Sequence, residues 1–257
     1  MDWAQYYAQL SAMAKAGEDL GFFENFFRLF YQAFVEGERW RLYVKGFAAT
    51  LELTVLALCI GIVLGVLVAV VRTAHDQQRR GHKNPVLSLF NGLCKVYTTV
   101  IRGTPMMVQL LIWSFVIFSF SRNRVLIGAF GIGVNSGAYV AEIVRGGLMS
   151  VDVGQSEASR SLGLGYFDTM RFIVIPQAFK NILPALGNEF ITLFKDTSLV
   201  SAIGGAELIY YARAIGSKTY EYMFPLYGAA LMYLIFCIIL TWLQGKLERR
   251  LRQSDKR

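Results

Sequence analysis

Leu53 to Val71 is a run of 19 residues without a charge. As a helix it extends about 28 Å, enough to cross the hydrocarbon core of a bilayer. In lipid every backbone N–H and C=O must be satisfied within the structure, which leaves few folds open to such a run. Three further uncharged runs follow: Thr104–Ser121 (18 residues), Val125–Ala141 (17) and Pro225–Leu243 (19). Of the 257 residues, 54% are hydrophobic and only 17% charged, and the mean hydropathy is +0.42. A soluble domain carries nearer a quarter of charged residues. The expectation is an all-α integral membrane protein, a single domain by length.

A fifth crossing is weaker in hydropathy and follows from charge. Residues 183–205 are long enough to cross but contain Glu189, Lys195 and Asp196. The segment Arg72–Pro85 carries four basic residues and the tail after Leu243 carries six. Both belong on the cytoplasmic side under the positive-inside rule. The region after Arg145 is then cytoplasmic too. An even number of crossings must separate it from the tail, so 183–205 crosses. Five helices are expected, at about 47–71, 104–121, 125–149, 183–205 and 225–243, with the N-terminus outside and the C-terminus inside. They divide the chain into an extracytoplasmic or interfacial segment (1–45), a transmembrane domain (46–243) and a basic cytoplasmic tail (244–257). The net charge of +8 is read as attraction to anionic lipid, since no basic and aromatic interleaving suggests nucleic acid.

Before the first span, FFENFFRLFYQAF places Phe23, Phe26, Phe27, Phe30 and Phe34 at helical spacing, with Glu24, Asn25, Arg28 and Gln32 opposite. This is an amphipathic helix, lying in the outer interface or packing on the protein itself. The opening MDWAQYYAQL has its first positive charge at Lys15 and does not read as a signal peptide. Within the first span Gly61 and Gly65 form a GxxxG, which permits close helix packing.

Chemistry is sparse. The chain has no GxxxxGK[ST], no HExxH and no GxSxG, so neither a P-loop ATPase nor a zinc or serine hydrolase is indicated. His75 and His82 both fall in the basic loop and read as solvated. Cys59, Cys94 and Cys237 show no metal or disulfide spacing, and no metal is expected. Transport is the natural class; no cofactor is expected in the chain.

One segment is out of character. Residues 150–176 lie between two spans and include EASRSLGLG (157–165), small and polar. Gln155–Leu162 reads as a short helix, broken by Gly163 and Gly165, with helical pattern resuming from Tyr166 to Ile175 before Pro176. Such a helix buries little apolar surface of its own and must dock against something. Glu157-Ala158-Ser159, three residues, Gly163, nine residues, Ile173, one residue, Ile175-Pro176 resembles the EAA signature of ABC importer permeases, with Ser159 in place of Ala and Ile175 in place of Leu. IRGTPMMVQL (101–110), NSGAYVAEIVRGGL (135–148), PQAFKNILPALGNEFITLFKDTSL (176–199) and AELIYY (206–211) resemble its polar amino acid branch, and the likeness runs from about Gly46 to Leu243.

The resemblance implies a type I importer transmembrane domain in a bacterial inner membrane, working as a homo- or heterodimer with a second permease chain. It implies two ATPase subunits, which bind ATP-Mg, and an extracytoplasmic amino-acid-binding protein. The 150–176 segment would be the coupling helix. Glu157 and Arg160 could pair with charges on the ATPase, small residues at 158, 159 and 161 could seat it closely, and Gly163 could turn the chain back to the membrane.

Charges within the spans are the other candidates, because they are costly at membrane depth and normally face a partner or a watery path. Lys195 and Asp196 are either a buried structural pair or part of a substrate path. On the second reading Asp196 takes the ammonium of an amino acid, while Thr197, Ser198 and freed backbone N–H groups take its carboxylate. Lys195 would neutralise Asp196 in the empty site. Glu189 reads as a packing or gate residue, and Glu142 with Arg145 as an intrahelical pair or a gate. Arg102 can snorkel to headgroups; Thr104 gains possible pore contact from the resemblance alone. A permease for another solute, or a channel or secondary transporter using Lys195 and Asp196, remains the alternative.

Overall fold

The computed structural model describes residues 2–78 and 84–254. His82, Arg79, Arg80, Lys83, Lys256 and Arg257 lie outside the described residues, as does the side chain of Arg252. Among the described residues all regular structure is helical. Eleven α-helices run in order: α1 (Trp3–Lys15), α2 (Phe22–Phe34), α3 (Trp40–Asp76), α4 (Pro85–Gly103), α5 (Met106–Ile112), α6 (Arg124–Met149), α7 (Val153–Ser161), α8 (Tyr166–Thr169), α9 (Ile175–Asp196), α10 (Leu208–Thr219) and α11 (Met223–Ser254).

Among the described residues three stretches are long and apolar enough to cross a membrane: Glu36–Asp76, Arg124–Met149 and Met223–Leu251. A fourth counts if Pro85–Gly103 and Met106–Ile117, bent by 108° to each other, form one broken span. The bend departs from the straight helix expected over 104–121. Pro105 drives Thr104 into an extended conformation (φ −116°, ψ 145°), as the residue before a proline is driven. The arm before the bend was hidden in the sequence by Lys95 and Arg102. It starts cleanly: Asn84 Oδ1 accepts from Val86 N (2.9 Å) and Leu87 N (3.4 Å), and Pro85 fills the first turn.

The helix expected over 183–205 begins earlier, at Ile175, and ends at Asp196. A tighter 3-10 turn, Thr197–Ile203, follows and closes on Gly204 at φ +83°. Lys195 and Asp196 therefore stand at the end of a helix rather than in the middle of one. With Glu189 they keep this segment below the apolarity of the other spans.

The scaffold is the crossing of α3 and α6. Buried positions of α3 recur at Gly46, Thr50, Leu53, Thr54, Ala57, Gly61, Gly65, Ala69 and Thr73, one stripe of mostly small residues. A Cβ at Gly61 would lie 2.8 Å from Ser136 Oγ, and one at Gly65 would lie 2.6 Å from Val140 Cβ. The GxxxG is the crossing point itself. Around it Leu53, Ala57, Leu110, Ile127, Ile132, Leu193 and Val200 form a buried core. The far faces of α3 and α11, with Val63, Leu67, Leu231, Ile238 and Trp242 among others, stay exposed, as lipid-facing surface must.

The amphipathic helix is α2, over the same residues as the quoted motif. Some of its rings pack on the protein itself and others stay exposed. Phe27 and Tyr31 pack on Trp3, Tyr6 and Tyr7 of α1, and Phe26 and Phe34 meet Phe224 and Tyr43. Phe22 and Phe23 remain exposed.

Candidate functional site: an exposed short helix and a buried polar belt

The helix α7 starts on Asp152, whose Oδ1 accepts from Gly154 N at 2.6 Å. It ends in a Schellman turn: Gly163 N donates to Arg160 O (3.0 Å) and Leu164 N to Ser159 O (3.0 Å), with Gly163 left-handed at φ +84°. Glu157, Ala158, Arg160 and Gly163 are exposed. Ser159 is the exception, 1% exposed, with its hydroxyl donating to Gln155 O at 2.5 Å. Its side chain faces the interior of this chain. The outward surface is instead extended by Leu162 (82% exposed) and Phe167 (85%). Sequence reasoning passed over both, although apolar residues beside a polar helix were a signal.

A few polar contacts tie this segment to the bundle. Tyr166 Oη donates to Gln77 Oε1 at 2.7 Å, and Asn181 Nδ2 to Ser150 Oγ at 2.8 Å. Beneath it lies a charge cluster. Arg145 donates to Glu142 within α6 (Nη2–Oε2 3.2 Å), as the spacing suggested. Glu142 also accepts from Arg72 of α3, which the sequence, 70 residues away, did not reveal. Arg145 lies 4.0 Å from Asp76. Glu142 is thus a brace between two spans as well as one end of an intrahelical pair. His75 is not in a loop: it lies in the last turn of α3, partly buried, with Nδ1 3.2 Å from Asn91 Nδ2.

A second polar set lies within the bundle. Gln109, buried on α5, donates to Ile101 O (2.7 Å), Thr104 O (3.1 Å) and Thr104 Oγ1 (2.7 Å), and its Oε1 accepts from Asn135 Nδ2 (3.0 Å). This one side chain satisfies carbonyls freed by the bend. On the next residue of α6, Ser136 Oγ donates to Glu189 of α9 at 2.7 Å. Gln109, Asn135 and Ser136 were missed because uncharged polar residues do not interrupt a hydropathy scan.

Lys195 is exposed and Asp196 half-buried, with no ion pair joining them among the described residues. Thr197 is buried and its hydroxyl donates to Phe194 O (2.7 Å), while Ser198 Oγ donates to Lys195 O (2.7 Å). Both hydroxyls are held by their own helix end. Thr104 joins Gln109, and among the described residues no hydrogen bond connects it to 195–198.

Glu207 is a residue the charge reading overlooked. It is 0% exposed and caps α10, accepting from Ile209 N (2.9 Å) and Tyr210 N (2.8 Å), and from Tyr233 Oη (3.0 Å). Leu208 N donates to Thr50 Oγ1 at 3.2 Å. An acid immediately before the apolar run LIYY was the available signal.

Residues 86–253 match the family model described as binding-protein-dependent transport system inner membrane component. The arginine transport system permease protein ArtQ of Bacillus subtilis is 35% identical over 215 residues, 82% of this chain and 93% of that protein. A putative glutamine transport system permease protein, GlnP of Rickettsia bellii, is 36% identical over 81% of this chain and 92% of its own length. A solved structure titled as an amino acid ABC transporter with histidines aligns at TM-score 0.73 and 39% identity, covering 82% of this chain and 94% of that one. The methionine transporter MetNI, at 20% identity and TM-score 0.68, shares the fold.

Proposed function

The chain belongs to the binding-protein-dependent transport system inner membrane components, and on that premise we propose that it is the permease subunit of an ABC importer for polar amino acids. Relatives named for arginine and glutamine transport support the substrate class. The observation that carries the mechanism is α7, an exposed helix with the EAA spacing, stopped by a left-handed glycine, in a segment tied to the bundle through Tyr166–Gln77 and Ser150–Asn181. ATP is hydrolysed on a separate subunit, and the closing motion reaches this chain through Glu157, Ala158 and Arg160. Ser159 locks α7 onto its own bundle and Gly163 sets the return angle. The working complex holds a second permease chain, two ATPase subunits and an amino-acid-binding protein, in a bacterial inner membrane.

In this reading α9 with its 3-10 extension is the fifth crossing, with Glu189 and Asp196 partly covered by neighbouring helices, and the N-terminus is outside. The hairpin of α1 and α2 then rests at the outer interface, with Phe22 and Phe23 toward lipid. Where the α-helix gives way after Asp196, Asp196 meets the substrate ammonium and Lys195 and Ser198 flank the path. Buried Thr197 stands behind it, Thr104, held at the bend by Gln109, is a separate candidate for pore contact, and Glu189, pinned by Ser136, acts as packing or gate.

The test is uptake by proteoliposomes holding the permease, ATPase and binding protein, screened with cationic, acidic and amide amino acids. ATP-dependent accumulation of at least one is expected. Ion conduction without ATP would overturn the reading in favour of a channel. Asp196→Asn is expected to raise KM for uptake about tenfold, as losing a charged contact does; unchanged kinetics would remove Asp196 from the path.

A further inference from the structure

A cavity of about 630 Å³ lies behind α7, between this helix, α8 and the ends of α3 and α6. Its size is that of a small-molecule site. Two charged residues line it, Asp76 and Arg160. Much of the remaining wall is apolar, including Leu148, Val151, Met170 and Val174. Two hydroxyls of the lining, Thr73 Oγ1 and Thr169 Oγ1, are buried without a hydrogen-bond partner among the described residues, and Thr169 is only 4% exposed. Buried hydroxyls are rarely left so, because each forfeits the hydrogen bonds it had in water.

The two charges are also under-used. Arg160 donates Nε to Ser156 O at 3.2 Å, which leaves its terminal N–H groups to point elsewhere. Asp76 has His75 at 3.5 Å and Arg145 at 4.0 Å, both long for a strong pair. One acid, one guanidinium, spare hydroxyls and an apolar wall in one cavity match a molecule with an ammonium, an anionic group and an apolar part.

We infer that this cavity binds a small zwitterion, with its ammonium at Asp76 and its anionic group at Arg160. A free amino acid and a phosphatidylethanolamine headgroup share that chemistry. The occupant props α7 and α8 away from α3 and so sets how the helix stands toward a partner. That last consequence rests on α7 being the ATPase contact; the binding does not.

The experiment uses the purified permease–ATPase complex without binding protein. L-Methionine is titrated by calorimetry, and phosphatidylethanolamine retention is read by native mass spectrometry after exposure to mixed phosphatidylethanolamine and phosphatidylglycerol. Saturable binding of either probe is expected, and which one binds identifies the source. Val151→Trp, which fills the cavity, is expected to abolish it. Thr169→Val, which keeps the shape, is expected to weaken it about fivefold, and it decides the matter if Val151→Trp does not assemble. The proposal is overturned if neither probe binds or if binding survives Thr169→Val at full strength. Each of these can occur whether or not the complex transports amino acids.

Discussion

The crossing of α3 and α6 and the exposed helix α7 are neighbours built on opposite rules. The crossing buries its small residues against backbone and braces its end with the Arg72–Glu142 pair. The helix α7 leaves Glu157, Ala158 and Arg160 exposed, with Arg160 also on the wall of the cavity behind it, and buries Ser159. Both use small side chains, one to bring two helices of this chain together and the other, in the proposed function, to let the ATPase approach. The difference separates a rigid frame from a contact surface, and it gives each small residue an opposite response to enlargement.

The frame should break hardest. Gly65→Leu forces a side chain into Val140, and overpacking of this kind costs about 1–3 kcal/mol or more. Loss of folded complex on size-exclusion chromatography is expected; a normal yield would mean the crossing is looser than it looks. Arg72→Met leaves Glu142 short of its cross-helix partner. Breaking a buried pair costs about 3–5 kcal/mol and this one is partly exposed, so a loss of about 2 kcal/mol is expected in thermal unfolding. An unchanged midpoint would make the brace incidental. Glu207→Ala removes the cap of α10, with about 1 kcal/mol expected, read by the same measurement. Smallest is Ser159→Ala, which deletes one hydroxyl but keeps the seat; a change within about 1 kcal/mol is expected. A large loss of assembly would show that the hydroxyl, not the size, holds α7.

Much of the frame was legible in the sequence because its signals are long. Uncharged runs marked α3, α6 and α11, and Gly61 with Gly65 marked the crossing. The α2 motif and the Gly163 stop were local patterns that residue chemistry alone decides. Elements depending on distant partners were not legible. Nothing near Glu142 names Arg72, and the bend at Thr104 needs Gln109 to be tolerated in a membrane. The short extension after Asp196 was foreseen only as a condition for a substrate path. Ser159 shows the limit within a motif: spacing identified the segment, but which side of a nine-residue helix faces inward depends on the bundle beneath it.

The central claim is that force enters through the outward face of α7. It is tested most directly by Ala158→Arg in the full complex, reconstituted in proteoliposomes with the binding protein. Uptake and ATP hydrolysis are measured together. With assembly intact, amino acid carried per ATP should fall at least about tenfold, equivalent to about 1.4 kcal/mol of lost coupling. Unchanged uptake per ATP with the arginine in place would contradict the account.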